Sequence, residues 1–254
     1  MTRWALLIEY DGTGFVGWQV QNNGLSVQQL LEEAAARIAG APVSSICAGR
    51  TDAGVHAEGQ VAHIELTREM KAASLAEALN YHLKPHPVVV RQAAVVPPAF
   101  SARFSAVGRA YRYCILNRRA RPALAVNRVW HVPPPLDAGA MAQGAAYLLG
   151  RHDFSSFRAA ACQAKSPLRT LDRLSVERRG EIIEIVAEAR SFLHHQVRNM
   201  VGTLRLVGEG KWPPERMAQT LAACDRRQAG PTAPPDGLTL TGVRYLPDPF
   251  GGAS

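Results

Sequence analysis

Large apolar residues crowd positions 3–10, and the glycine-rich Asp11-Gly12-Thr13-Gly14 interrupts them, the pattern of a strand ending in a turn. Ser26-x-x-Gln29 has the form of a capping box opening a helix that keeps its apolar period to about Ile38 and stops at Gly40. Val43–Cys47 and Gln60–Leu66 read as strands. Ser74-x-x-Glu77 predicts the start of a second helix running to about Leu83, and Val88–Val96 is a strand closed by Pro97-Pro98. The order is β-α-β-β-α-β, the ferredoxin-like arrangement that RNA-recognition domains also use.

The second half repeats these elements without repeating the sequence. Arg109–Asn117 is a strand, followed by a long connection rich in Arg and Pro and a helix near Asp137–Leu149. Leu171–Arg178 and Ile182–Arg190 form a hairpin about Arg179-Gly180. Phe192–Val207 and Pro214–Ala223 are predicted helical, and Leu238–Leu246 is a closing strand. The expected fold class is therefore α+β. It comprises two ferredoxin-like (RRM-like) domains, residues 1–104 and 105–250, whose mainly antiparallel sheets lie side by side with an active-site cleft between them.

Charge changes this picture most. The chain of 254 residues carries a formal net charge of +8. Of its 29 basic residues only Lys71, Lys84, Lys165 and Lys211 are lysines, and arginine suits bidentate phosphate contacts and base stacking. From Ala78 to Leu136 there is no Asp or Glu, while Lys84, Arg91, Arg103, Arg109, Arg112, Arg118, Arg119, Arg121 and Arg128 fall in that window. Such a one-signed stretch points to a polyanionic partner, with nucleic acid first among candidates. No apolar run is long enough to span a membrane. The N-terminal Met1-Thr2-Arg3-Trp4 has no signal-peptide shape, so the expected location is cytoplasmic. The scattered Cys47, Cys114, Cys162 and Cys224 contain no Cys-x-x-Cys pair and suggest neither a zinc site nor a disulfide framework.

The candidate chemistry centres on Ala48-Gly49-Arg50-Thr51-Asp52-Ala53-Gly54-Val55-His56. Glycines frame a tight loop between two strands, with one carboxylate at its tip and a guanidinium two residues away. An acid beside a fixed cation stays ionised, which suits a nucleophile, an anionic base or a structural ion pair. Arg109, Tyr111 and Tyr113 fall on one face of a strand and Ala110, Arg112 and Cys114 on the other. Aromatic rings beside guanidiniums can stack a base while holding its phosphates, although at least one of the two tyrosines is expected in the core. His194 and His195 are adjacent, and neighbours on a helix diverge by about 100°, so they do not suggest a metal site. Asp11-Gly12-Thr13-Gly14-Phe15-Val16-Gly17-Trp18-Gln19 lacks the Lys-Ser/Thr of a Walker loop and reads as a glycine-permitted turn.

Taken in order, these motifs resemble the tRNA pseudouridine synthase A family. The resemblance is carried by Tyr10-Asp11-Gly12-Thr13-Gly14-Phe15-x-Gly17-Trp18-Gln19, by Gly49-Arg50-Thr51-Asp52-Ala53-Gly54-Val55-His56-Ala57 and by Arg103-Phe104-Ser105-Ala106 with Arg109-Ala110-Tyr111-Arg112-Tyr113. It continues through Gly150-x-His152-Asp153-Phe154, Phe192-Leu193-His194-His195-Gln196-Val197-Arg198-Asn199 and Thr232-Ala233-Pro234.

The resemblance implies an isomerase that converts uridine to pseudouridine at positions 38 to 40 of the tRNA anticodon stem-loop. By the same resemblance Asp52 is the nucleophile. Tyr111 stacks on the target base and helps remove the C5 proton, Arg198 pairs with Asp52, and Arg50 assists base displacement. Arg103 and Arg109 join Tyr111 and Arg50 as substrate-binding residues. The family works as a homodimer and needs no cofactor and no metal. Two rival readings of the residues are a non-catalytic RNA-binding protein, which leaves the Asp52 loop without a task, and a metal-dependent nuclease, for which no carboxylate or histidine cluster accompanies the loop.

Overall fold

The structure, a computed structural model, describes residues 1–251. The chain forms two compact units. One comprises Met1–Arg109 together with the segment from Thr239 onward, and the other is Ala110–Leu238.

The first unit contains β1 (Thr2–Tyr10), α1 (Val27–Ala39), β2 (Ile46–Cys47), β3 (His56–Leu66), α2 (Ala72–Leu83) and β4 (Val88–Val96), joined by β10 (Leu238–Arg244) from the far end of the chain. β1 is the antiparallel neighbour of both β3, with Leu6 opposite Ala62, and β4, with Leu6 opposite Ala93. β2 pairs antiparallel with β3 at Ile46–His63. β10 runs parallel to β3, with Thr239 opposite His56. The sequence counted this strand with the second half, yet its ladder to β3 places it beside the strand that leaves the Asp52 loop.

Helix α1 begins as its capping residue dictates. Ser26 Oγ accepts the Gln29 N–H at 3.2 Å, and Gly40 ends the helix in the left-handed conformation at φ 70°. The Gln29 side chain turns to Glu33 instead of closing the box. Val27, Leu30, Leu31, Ala34, Ala35 and Ile38 form the buried stripe, each large side chain contributing about 1.5–3 kcal/mol of apolar burial. α2 starts earlier than expected, at Ala72. Ser74 is thus an interior residue and Lys71 stands at the cap position without a side-chain bond. β3 is buried along nearly its whole length. Its Val61 packs into a cluster of Ala48, Ala102, Ala106 and Tyr245 with Leu7 and Phe100 beside it, and the Tyr245 hydroxyl donates to the Ala102 carbonyl at 2.6 Å.

The second unit carries β5 (Gly108–Leu116), β6 (Trp130–His131), α3 (Ala138–Ala146), β7 (Gly150–Asp153), β8 (Leu168–Arg179), β9 (Ile182–Ala189), α4 (Gln196–Gly208) and α5 (Arg216–Ala222). Its strand order is β5-β9-β8-β7, with β6 parallel to β5. The β8–β9 hairpin turns at Gly180, φ 62°, and holds Val176 opposite Ile185. Asp137 caps α3 through its Oδ1 and the Ala140 N–H at 2.9 Å. Met141, Ala145, Ile183, Ile185, Met200, Leu204 and Met217 are buried in its core. The short β6 and β7 were not apparent in the sequence. α4 begins at Gln196 instead of Phe192, because His195 takes a left-handed conformation at φ 62° and holds the preceding residues out of the helix.

Both units mix helices with mainly antiparallel pairing, so the fold is α+β. Among the described residues no helix is long and apolar enough to cross a membrane.

Candidate active site

In the first unit the Asp52 loop leaves β2 and enters β3, and it is held from several directions. At its root, Ala48 N donates to Val61 O at 2.7 Å, and the fully buried Gln60 side chain donates to Gly49 O at 2.7 Å. Thr51 is buried. Its hydroxyl meets the Tyr10 hydroxyl at 2.7 Å, and its carbonyl accepts the Trp18 N–H at 3.1 Å. Val55 N closes a turn onto Asp52 O at 3.1 Å, Gly54 sits at φ 79°, and Gly54 N donates to Phe15 O at 3.3 Å. Asp52 itself is half-buried at the apex.

The glycine-rich segment after β1 has its task here. A Cβ on Gly12 would lie 2.2 Å from Val55 O, and one on Gly17, φ 105°, would lie 2.6 Å from Thr51 O. The segment is a backing plate for the Asp52 loop, which only residues without side chains can press so closely. His56 Nδ1 accepts the Gly12 N–H at 3.0 Å and ties the plate to the start of β3.

The three arginines predicted for substrate divide their work. Arg50 and Arg103 are exposed. Both also act on buried Cys47, whose thiol burial pushes up to about 12 against their pull. The Arg103 guanidinium lies 5.3 Å from the ring centroid of Phe104, which is 76% exposed, so a cation and an aromatic face are presented together. Arg109 is half-buried and donates to Ala48 O at 2.8 Å, Arg103 O at 2.8 Å and Ala106 O at 3.3 Å. It fastens the Arg103–Ala106 turn to the root of the Asp52 loop.

In the second unit Tyr111 and Tyr113, two positions apart on one face of β5, differ in burial. Tyr113 is the core residue. It is fully buried, its hydroxyl donates to Pro234 O at 2.8 Å, and desolvation drives its pKa far up. Tyr111 is half-buried and meets Phe192 edge-on, ring centroids 5.2 Å apart, which fixes the ring plane. His194 and His195 precede α4, so the helical divergence expected of them does not apply: their rings lie 4.0 Å apart.

Arg198 stands in the first turn of α4. Its Nε donates to Ala233 O at 2.8 Å, and Ala233 N returns a bond to Arg198 O at 3.1 Å. The neighbouring Asn199 is buried. Its Nδ2 donates to Phe157 O at 2.8 Å, and its Oδ1 accepts the Thr232 hydroxyl at 2.7 Å and Arg226 Nη2 at 3.2 Å. Arg226 also donates to Gly230 O at 2.8 Å, and Gly230 N donates to Thr203 Oγ1 at 3.0 Å. Gly202 allows the segment to lie flat on the helix, since any Cβ there would strike Pro231 O. Phe192, Asn199, Arg226 and Thr232 thus orient the predicted site residues. Asn199 and Thr232 stood in motifs noted in the sequence, whereas nothing near Arg226 pointed to it.

Comparison with known proteins agrees with this arrangement. The sequence profile of the family described as tRNA pseudouridine synthase matches residues 6–105 and 145–246. The chain is similar to tRNA pseudouridine synthase A of Acidiphilium cryptum, 67% identical over 252 residues covering 98% of this chain and 99% of the relative. It is similar also to the enzymes of that name from Paramagnetospirillum magneticum, 64% identical with 96% of each chain covered, and Rhodospirillum centenum, 60% identical with 96% of this chain and 100% of the relative covered. Matches of this extent settle membership: the chain belongs to the tRNA pseudouridine synthase family.

Proposed function

We propose that the protein isomerises uridine to pseudouridine in tRNA, at positions 38 to 40 of the anticodon stem-loop, with Asp52 as its nucleophile or base. The observation that carries this reading is the Asp52 loop. The loop that carries this one carboxylate is fixed by buried hydrogen bonds and by a glycine plate pressed against its backbone. A structural ion pair would not need such a support, whereas a reacting group must be held within a few tenths of an ångström.

The chemistry follows from the residue types. A uracil inside a helix exposes neither C6 nor C1′ to a side chain, so the nucleotide must leave the stack. Arg50 and Arg103 hold the displaced strand, with Arg109 supporting the turn that carries Arg103. Tyr111 is the flat face against which the base lies and the acceptor placed for the C5 proton. By the family resemblance Arg198 is the cation that pairs with the reacting carboxylate. Asp52 then attacks C6 or C1′, or takes the ribose C2′ proton. The C1′–N1 bond breaks, the uracil turns while bound, C5 joins C1′, any bond formed by Asp52 is released, and the proton lost from C5 is matched by one taken up at N1. Atoms are neither gained nor lost, and by the family resemblance the reaction needs no cofactor and no metal. In this reading the protein is a cytoplasmic homodimer of two ferredoxin-like α+β domains per chain, as in the family it resembles.

The test is incubation of unmodified tRNA with the purified protein in the presence of a chelator, followed by mapping of pseudouridine. Pseudouridine at 38, 39 or 40 supports the reading. Its absence with the wild-type protein, or full activity in Asp52→Asn, overturns it.

A further inference from the structure

The connection between β5 and β6, residues 117–129, is a loop of unusual construction. Its root is closed by a dense set of hydrogen bonds. Asn117 N donates to Glu181 O at 2.7 Å. Its side-chain amide donates to Val132 O and Pro134 O at 2.8 and 2.7 Å, and its Oδ1 accepts Leu136 N and Arg178 Nη2. Arg118 acts as an internal staple. Its guanidinium reaches Glu181 Oε2 at 2.7 Å, Ala120 O at 3.0 Å and Arg121 O at 3.4 Å, and its carbonyl meets His131 Nε2 at 2.9 Å. The tip also has a set shape: Arg128 N donates to Ala125 O at 3.1 Å, and Asn127 takes a left-handed conformation at φ 60°.

What this scaffold presents is unlike an ordinary solvated loop. Arg119, Arg121 and Arg128 are exposed, and no carboxylate occurs anywhere in the loop. Between the arginines, Leu124 is 101% exposed and Val126 is 49% exposed. An isolated apolar side chain on a surface needs no explanation. Two on a structured tip bracketed by three cations and no anion match the demands of one kind of partner. Guanidiniums suit a phosphate backbone, and an apolar wedge suits the face of a base or ribose.

We propose that residues 119–128 form an RNA-gripping arm, in which Arg119, Arg121 and Arg128 hold backbone phosphates and Leu124 with Val126 lies against a base or sugar of the tRNA. The proposal rests on tRNA being the substrate. It assigns to this chain a contact that orients the RNA, separate from the Asp52, Tyr111 and Arg198 chemistry.

The experiment compares wild type, Leu124→Ser and the triple variant Arg119→Gln/Arg121→Gln/Arg128→Gln for binding of full-length unmodified tRNA over a salt series. Melting temperature and sedimentation are recorded for each. The triple variant is expected to bind about tenfold or more weakly at moderate salt, with a salt dependence shallower by about three phosphate contacts. Leu124→Ser is expected to weaken binding several-fold with the salt dependence unchanged, since it removes no charge. Turnover at saturating tRNA and melting temperature should stay at the wild-type level. Wild-type affinity and salt dependence in both variants would overturn the proposal. So would unchanged tRNA affinity with an altered sedimentation coefficient in Leu124→Ser, which would give the tip to a protein contact. If the wild-type protein binds tRNA but makes no pseudouridine, the catalytic reading fails, and the affinity comparison still decides the arm.

Discussion

Gly12 and Val55 are packed so closely that a methyl group on Gly12 would lie 2.2 Å from the Val55 carbonyl oxygen. The contact is backbone against backbone, so no side chain can yield to make room. Gly12→Ala is expected to cost about 1–3 kcal/mol, in the range of overpacked cores. It should also push the Asp52 loop outward. Turnover should fall by more than tenfold while tRNA affinity stays near wild type, as measured by single-turnover pseudouridine formation beside filter binding. Equal loss of affinity and rate would mean that the plate serves binding instead.

Asp52→Asn keeps the size and shape of the apex. The expected outcome is a protein that melts and binds tRNA as wild type does and forms no pseudouridine. Thermal denaturation, binding and pseudouridine mapping on one preparation check all three together.

Arg226 is predicted to act at a distance, through the Asn199–Thr232 bonds that hold Ala233 against Arg198. Arg226→Ala leaves the Asn199 carbonyl and the Gly230 carbonyl short of a donor and should destabilise by about 1–3 kcal/mol. Arg226→Lys should recover much of that stability without the planar fork. If the network positions Arg198, kcat will remain low in the Lys variant although its melting temperature recovers.

His63 gives the first unit a pH dependence of known sign. Its Nδ1 accepts the Ala102 N–H at 3.1 Å, and burial, then the Arg3 charge, holds its pKa below the ordinary value. Below about pH 6.5 the unfolded chain takes up a proton that the folded form resists. Stability from this residue is therefore full above that pH and is lost as the pH falls, by at most about 1.4 kcal/mol per unit. Melting temperature should drop between pH 7 and 5.5, and His63→Gln should flatten that drop.

Cys47 should be inert. With its thiol pushed up to about 12, thiolate is scarce at pH 8. Brief alkylation of the native protein should leave the Cys47 peptide unmodified, and the same treatment in denaturant should label it, as read by peptide mass.

Much of this site could be read from residue order because the decisive features are local. Gly49 and Gly54 frame Asp52 within a few residues, and Ser26 caps α1 through the residue three positions on. Tyr111 and Tyr113 share a strand face, and the sequence could say only that at least one of them is buried. Burial of Tyr113 was settled by Pro234, more than a hundred residues away. Where local rules misled, a longer-range fact had won. Ser74 carries a capping pattern, but α2 begins before it. His195 adopts a backbone conformation that few residues favour, and this shortens α4. Arg226 is one arginine among many until the fold brings it to Asn199. The glycines of residues 12–17 were recognised as a turn, but the surface they press against lies some forty residues later.

The parallel pairing of β10 with β3 has a consequence for how the protein comes into being. During synthesis β3 emerges with His56, but its neighbour Thr239 follows only after the whole second unit has been made. At ordinary ribosomal speeds that delay is on the order of ten seconds. Throughout it, the strand that follows the Asp52 loop has its His56–Ala57 end unclaimed on one edge, an invitation to mispairing that the nascent chain must survive. Truncation before residue 239 would hold the chain permanently at that stage, leaving the loop sequence present and its supporting strand without the neighbour it needs.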